Sequence, residues 1–89
     1  MSESIDLRLI VRKNCHLCEP AVESAKFIAK SFQEEHPEAG LELHIQDIAD
    51  QVDLQRFSEE VPVLLVNGEA IEMWRINEAR ALEHLRGMV

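Results

Sequence analysis

Two cysteines separated by two residues, Cys15-His16-Leu17-Cys18, stand where a short apolar stretch gives way to a helical pattern. Residues 7–12, Leu-Arg-Leu-Ile-Val-Arg, read as a strand with polar flanks. Beyond the motif, Leu17, Ala21, Ala25, Ile28, Ala29 and Phe32 fall on one face of a helix over residues 17–35. The cysteines are therefore expected at a helix N-terminus, where unpaired amides and the helix dipole favour a thiolate on Cys15 over a thiol. Two intervening residues on a helical turn let Cys18 close a disulfide with Cys15 at little strain.

The rest of the chain supplies partners for this unit. Pro37 and Gly40 end the helix. Leu41, Leu43 and Ile45 then alternate with Glu42, His44 and Gln46, the period of a strand with one wet face. Strand, helix and strand make a βαβ unit with a right-handed crossover and parallel strands. A less regular helical pattern covers residues 50–59, with Leu54 and Phe57 as apolar anchors. Residues 63–66 and 70–74 flank Asn67-Gly68, the strongest short hairpin signal because both turn residues tolerate positive φ. A closing helix over residues 77–86 puts Ala81, Leu82, Leu85 and Met88 on one face, with Asn77 as its cap. The order is βαβ, helix, ββα, without linker or repeat. At 89 residues this is one domain over residues 1–89.

Composition narrows the partners. The 17 acidic residues outweigh nine basic ones for a formal charge of −8, which repels phosphate backbones and anionic lipids. Neither nucleic acid nor a membrane is an expected partner, and a monomer is expected. The longest apolar run, residues 61–66, is interrupted by Pro62 and is far short of the roughly 20 residues that cross a bilayer. The opening residues are acidic where a secretory leader needs basic ones, so the reading is cytoplasmic. In a reducing compartment a cysteine pair is more often catalytic or metal-binding than a permanent staple.

Arg12 and Lys13 precede Cys15 and His16 follows it, and each, when charged, favours the thiolate further. In this reading Cys15 attacks a disulfide and Cys18 resolves the mixed species. Stabilising the thiolate makes the couple more oxidising, toward about −200 to −230 mV. The competing reading is half a zinc site completed by two of His36, His44 and His84. No second close-spaced ligand pair exists to complete it, so no metal is expected. Pro20 is harmless if the regular helix begins near Glu19 and disturbs its first turn if it begins at His16.

Val61-Pro62 directly precedes the strand at residues 63–66. Proline inside an apolar strand normally removes a ladder hydrogen bond. It fits if it opens the strand with a cis bond and leaves the Val61 backbone to pair with an extended substrate; the alternative is a trans proline at a strand start. Together, the strand, Cys15-His16-Leu17-Cys18, the long helix and Val61-Pro62-Val63-Leu64-Leu65-Val66-Asn67-Gly68-Glu69 resemble a glutaredoxin of the thioredoxin superfamily, in its small bacterial glutaredoxin-like branch. The resemblance runs from about Leu7 to Leu85 and implies a thioredoxin-like α/β fold, a four-stranded mixed sheet flanked by helices. It implies Cys15 as nucleophile, Cys18 as resolving cysteine, Val61 and Pro62 across the substrate groove, and Arg12 or Lys13 holding glutathione. The sequence departs from the family at two places. His16-Leu17 replaces the usual Pro-Tyr, and Trp74-Arg75 stand where glycines are usual, crowding that end of the groove.

The expected function is thus a thiol–disulfide oxidoreductase acting on protein or low-molecular-weight disulfides, with no bound cofactor. Glutathione or a thioredoxin-reductase-type partner would be its reductant. Its substrate-binding residues would be Arg12, Lys13, His16, Val61, Pro62, Trp74 and Arg75. A non-catalytic thioredoxin-like adaptor or redox sensor is the alternative, and Trp74 has a second reading as a core or rim aromatic on the last strand.

Overall fold

Ile5, Leu7 and Leu9 alternate with Asp6 and Arg8, and that period makes residues Ile5–Val11 a strand, β1, with one face buried completely. The computed structural model describes residues 4–89; residues 1–3, among them the Glu3 that entered the reading of the N-terminus, lie outside the described residues. After β1 come the helix α1 (Cys18–Glu35), the strand β2 (Leu41–Asp47), two 3₁₀ stretches (Ile48–Asp50 and Val52–Phe57), β3 (Val63–Val66), β4 (Glu69–Met73) and the helix α2 (Glu78–Arg86).

The sheet order is β2-β1-β3-β4, with β1 parallel to β2 and antiparallel to β3, and β3 antiparallel to β4. The expected four-stranded mixed sheet results, and β1 and β3 are its central strands. Asn67 and Gly68 have φ of 50° and 86°, so both turn residues are left-handed as the hairpin requires. Asn67 also ties the turn to β1: its amide donates to the Asp6 carbonyl at 2.8 Å, and its Oδ1 accepts from the Asp6 amide at 2.9 Å.

One core cluster joins Ile5, Leu7 and Leu9 to Ala21, Ala25, Ile28 and Phe32 of α1 and to Ala81, Leu82 and Leu85 of α2. Both helices therefore cover one face of the sheet. Phe32 is fully buried there; truncating it to alanine would cost about 3–5 kcal/mol, much of the stability of so small a domain. The second cluster lies on the opposite face and gathers Ile10, Val63 and Leu65 of the sheet with Leu54 and Phe57 of the 3₁₀ stretch, Val61 and Cys18.

The structure corrects four expectations. Residues 50–59 are not an α-helix: Asp47 and Asp50 form a capping box around the first 3₁₀ turn, and a second turn carries Leu54 and Phe57 inward. β4 ends at Met73, so Trp74 is neither in the last strand nor in the core. Met88 lies past the end of α2 and is exposed, so the helical face stops at Leu85. Ile45 is exposed, because β2 is an edge strand that α1 covers only in part.

Candidate active site

The link from β1 to α1 turns at Asn14, whose φ of 60° is left-handed, a conformation asparagine tolerates better than most residues. This turn presents Cys15 at the end of the central strand. The Cys15 carbonyl accepts from the Cys18 amide at 3.2 Å, so the motif closes as one turn leading into α1. The two cysteines form a disulfide, with Cα atoms 5.3 Å apart, inside the ordinary range. Their surroundings differ. Cys18 is 5% exposed and packs in the second core cluster, whereas Cys15 is half-buried at its margin and lines a groove of about 470 Å³.

Helix α1 begins at Cys18 with Leu17 as its cap residue, which makes Pro20 the third helical position. Its missing N–H is one that a first turn leaves unpaired anyway, so Pro20 costs no internal hydrogen bond. The expectation of unpaired amides around Cys15 is corrected in part. The Cys18 and Ala21 amides already donate, to Cys15 and Leu17 carbonyls, and Pro20 has none to offer. What α1 provides to an anion on Cys15 is chiefly its dipole.

His16 and Leu17 point the two sides of the motif in different directions. His16 is exposed and lines the Cys15 groove with Arg12, Asn14 and Glu19. Leu17, 39% exposed, lines a second groove of about 340 Å³ with Pro20, Ala21, Ser24, Trp74, Arg75 and Ile76. Arg12 reaches across to donate to the Ser58 carbonyl at 2.7 Å. Glu19 sets a negative charge against Arg12 and His16 in the same groove, a term absent from the sequence reading. Lys13 is exposed and lines neither groove.

Val61 joins Cys18 in the second cluster, and the Val61–Pro62 bond is cis. Pro62 is fully buried, and its carbonyl accepts from the Trp74 amide at 2.8 Å. Trp74 has φ of 62°, is 56% exposed, and donates from Nε1 to the Glu59 carbonyl at 3.2 Å. The structure thus brings Val61, Pro62, Trp74 and Arg75 to the motif. Sequence reasoning missed Asn14, Glu19 and Glu72. Asn14 was findable as an Asn between a strand and a cysteine turn; Glu72, 7% exposed, was hidden in a strand. Its Oε1 accepts from the Asn77 amide at 3.2 Å and its Oε2 pairs with Arg80 at 3.4 Å, which fixes the segment after Trp74 to the start of α2. Among the described residues, no three His, Cys, Asp or Glu side chains gather as a metal site would require.

Residues 6–86 match the family described as Glutaredoxin-like domain (DUF836). The chain belongs to that family. No curated protein matches it in sequence. Among solved structures, a Staphylococcus aureus protein of unknown function, SA0789, superposes with a TM-score of 0.74 at 11% identity, over 96% of this chain and 91% of that one. Human ERp44 form II superposes with a TM-score of 0.66 at 18% identity, over 93% of this chain and 25% of that one. Form I of the same human protein matches with the same score and identity over 24% of its length. At these identities the likeness is one of fold, and the fold of this glutaredoxin-like chain is thioredoxin-like, as its sequence predicts. A glutaredoxin-like domain with a Cys15–Cys18 pair in CxxC spacing supports a redox-type function. No helix is long and apolar enough to cross a membrane among the described residues.

Proposed function

We propose that this glutaredoxin-like chain is a thiol–disulfide oxidoreductase that reduces protein or low-molecular-weight disulfides. One observation carries the reading: a half-buried Cys15 opening on a groove, paired with a buried Cys18 at the start of α1. In the reduced chain the Cys15 thiolate attacks one sulfur of the substrate disulfide. A bond forms between Cys15 and that sulfur, and the other substrate sulfur leaves as a thiolate. Cys18, from its protected position, then attacks Cys15 Sγ and expels the second substrate thiol. The substrate has gained two electrons, and the chain holds a Cys15–Cys18 disulfide.

The dipole of α1 and the cations Arg12 and Lys13 favour the thiolate that starts the cycle, and Glu19 opposes them. Trp74 and Arg75, exposed beside Leu17, form the wall against which a substrate lies, and the buried Val61 and Pro62 support it from behind. Glutathione or a thioredoxin-reductase-type reductant returns the pair to the dithiol, with the chain a cytoplasmic monomer. Neither nucleic acid nor membrane enters this reading, since a charge of −8 disfavours both.

Trapping tests it. A Cys18→Ser chain should accumulate mixed disulfides on Cys15, visible as mass adducts that a reductant removes. A Cys18→Ser chain that retains no adduct with glutathione disulfide or with cell protein would leave the adaptor reading in its place.

A further inference from the structure

Resting on the oxidoreductase reading, we propose that the second groove receives the segment flanking a substrate protein's disulfide. It selects a segment that carries a carboxylate beside an apolar residue. The distribution of charge is the first argument. Of the nine cations, Arg8, Lys26, Arg80 and Arg86 are paired with Asp6, Glu23, Glu72 and Glu35. The other five have no carboxylate partner among the described residues, and three of these, Arg12, Lys13 and Arg75, stand around the motif. Arg75 is the one charged residue lining the second groove, in a chain with 17 acidic residues. That groove accepts an acid and offers a base no partner.

The second argument is Trp74. A bulky aromatic at φ of 62° is strained, and such residues persist where surrounding contacts hold them. Here the Pro62 and Glu59 carbonyls hold the backbone and the indole, and Trp74 stays 56% exposed beside exposed Leu17. An apolar shelf next to one cation fits an extended segment with an apolar residue and an aspartate or glutamate. Because Leu17 lies within the motif, a segment leaving a bond at Cys15 runs over Leu17 toward Trp74. The net charge of −8 repels acidic partners at long range, but screening over about 8 Å at physiological salt leaves contact with Arg75 to decide.

The test uses two synthetic peptide disulfides, identical except that glutamate in one is lysine in the other, beside a leucine flanking the cysteine. The readout is the ratio of kcat/KM for the two peptides within each variant. Wild type should favour the glutamate peptide by about fivefold, the size of one exposed ion pair. Arg75→Glu should invert the ratio, and Lys30→Glu, on the exposed side of α1, should leave it unchanged. Trp74 is the sole tryptophan, so its fluorescence reports occupancy without any redox step. Titration with the same peptides carrying serine for cysteine should shift the emission at lower concentration for the glutamate form. Equal ratios in wild type and Arg75→Glu, with equal fluorescence titrations, would overturn the proposal. If no disulfide is exchanged at all, the oxidoreductase reading fails, and the fluorescence comparison still decides the docking site.

Discussion

The amide of Trp74 donates to the carbonyl of Pro62 at 2.8 Å, so the residue after β4 is fastened to the residue that opens β3. This bond holds Trp74 in its left-handed conformation beside the motif. Such a conformation costs a residue with a Cβ about 1–2 kcal/mol, and glycine almost nothing. The Nε1 bond to Glu59 offsets about 1 kcal/mol of it. Trp74→Gly should therefore be close to wild type in stability. Trp74→Ala, which loses the bond and keeps the strain, should be about 1 kcal/mol less stable than Trp74→Gly by denaturant titration. Equal stability of the two variants would contradict this account.

The unequal burial of the two cysteines predicts unequal reactivity. In the reduced chain, iodoacetamide should label Cys15 first and Cys18 only after denaturant is added, since Cys18 is packed among Ile10, Leu54 and Phe57. Peptide mapping by mass spectrometry reads the order directly. Cys18 labelled as fast as Cys15 in the native chain would remove the division of roles between them.

Glu72 is a buried carboxylate whose two oxygens hold the Asn77 amide and Arg80. Glu72→Gln keeps an acceptor for Asn77 and loses only an ion pair to an exposed arginine, so it should cost less than about 1 kcal/mol. Glu72→Ala leaves the amide without its partner and should cost about 2–3 kcal/mol. Thermal melts of the two variants separate these outcomes. The alanine variant should also loosen Trp74, seen as a red-shifted emission.

Arg86, in the last turn of α2, donates to both carboxylate oxygens of Glu35, at the end of α1, at 2.9 and 2.7 Å. This hydrogen bonding holds the Glu35 carboxyl below its ordinary value near 4.5. A lowered carboxylate stabilises the fold above its unfolded value, and the benefit is lost as pH falls through the folded value. Wild type should thus melt slightly above Arg86→Ala at neutral pH, with the gap closing below about pH 4.5 and shrinking in high salt, because the pair is exposed. A gap that widens with acid would reverse the sign of this argument.

The strands, both helices and the hairpin were legible because each carries its own period or turn chemistry, and the cysteine motif marked the candidate site. What escaped depends on contacts between elements. Alternation along β4 gives no warning of Glu72, because an irregularity in pairing beside Leu64 and Leu65 sets Glu72 opposite Leu64, on the face that α2 covers. Trp74 reads as a strand residue by its β propensity, and only its bond to Pro62 and the strained φ take it out of the strand. Residues 50–59 have helical spacing, but the backbone is extended at Gln51, with φ of −146° and ψ of 142°, and divides the segment into two short 3₁₀ turns. The division of the motif between two grooves by His16 and Leu17 needed the position of residues 74–76, which no local pattern supplies.

Cys15 is mounted at the end of β1, the strand gripped by neighbours on both sides. Only Arg12, Lys13 and Asn14 separate Cys15 from Val11, the last residue of the ladder to β2, and the Cys15 carbonyl is tied to the Cys18 amide at the start of α1. In the proposed exchange the attacking atom is accordingly the stationary part of the encounter, and the adjustment needed to line up three sulfurs falls on whatever docks.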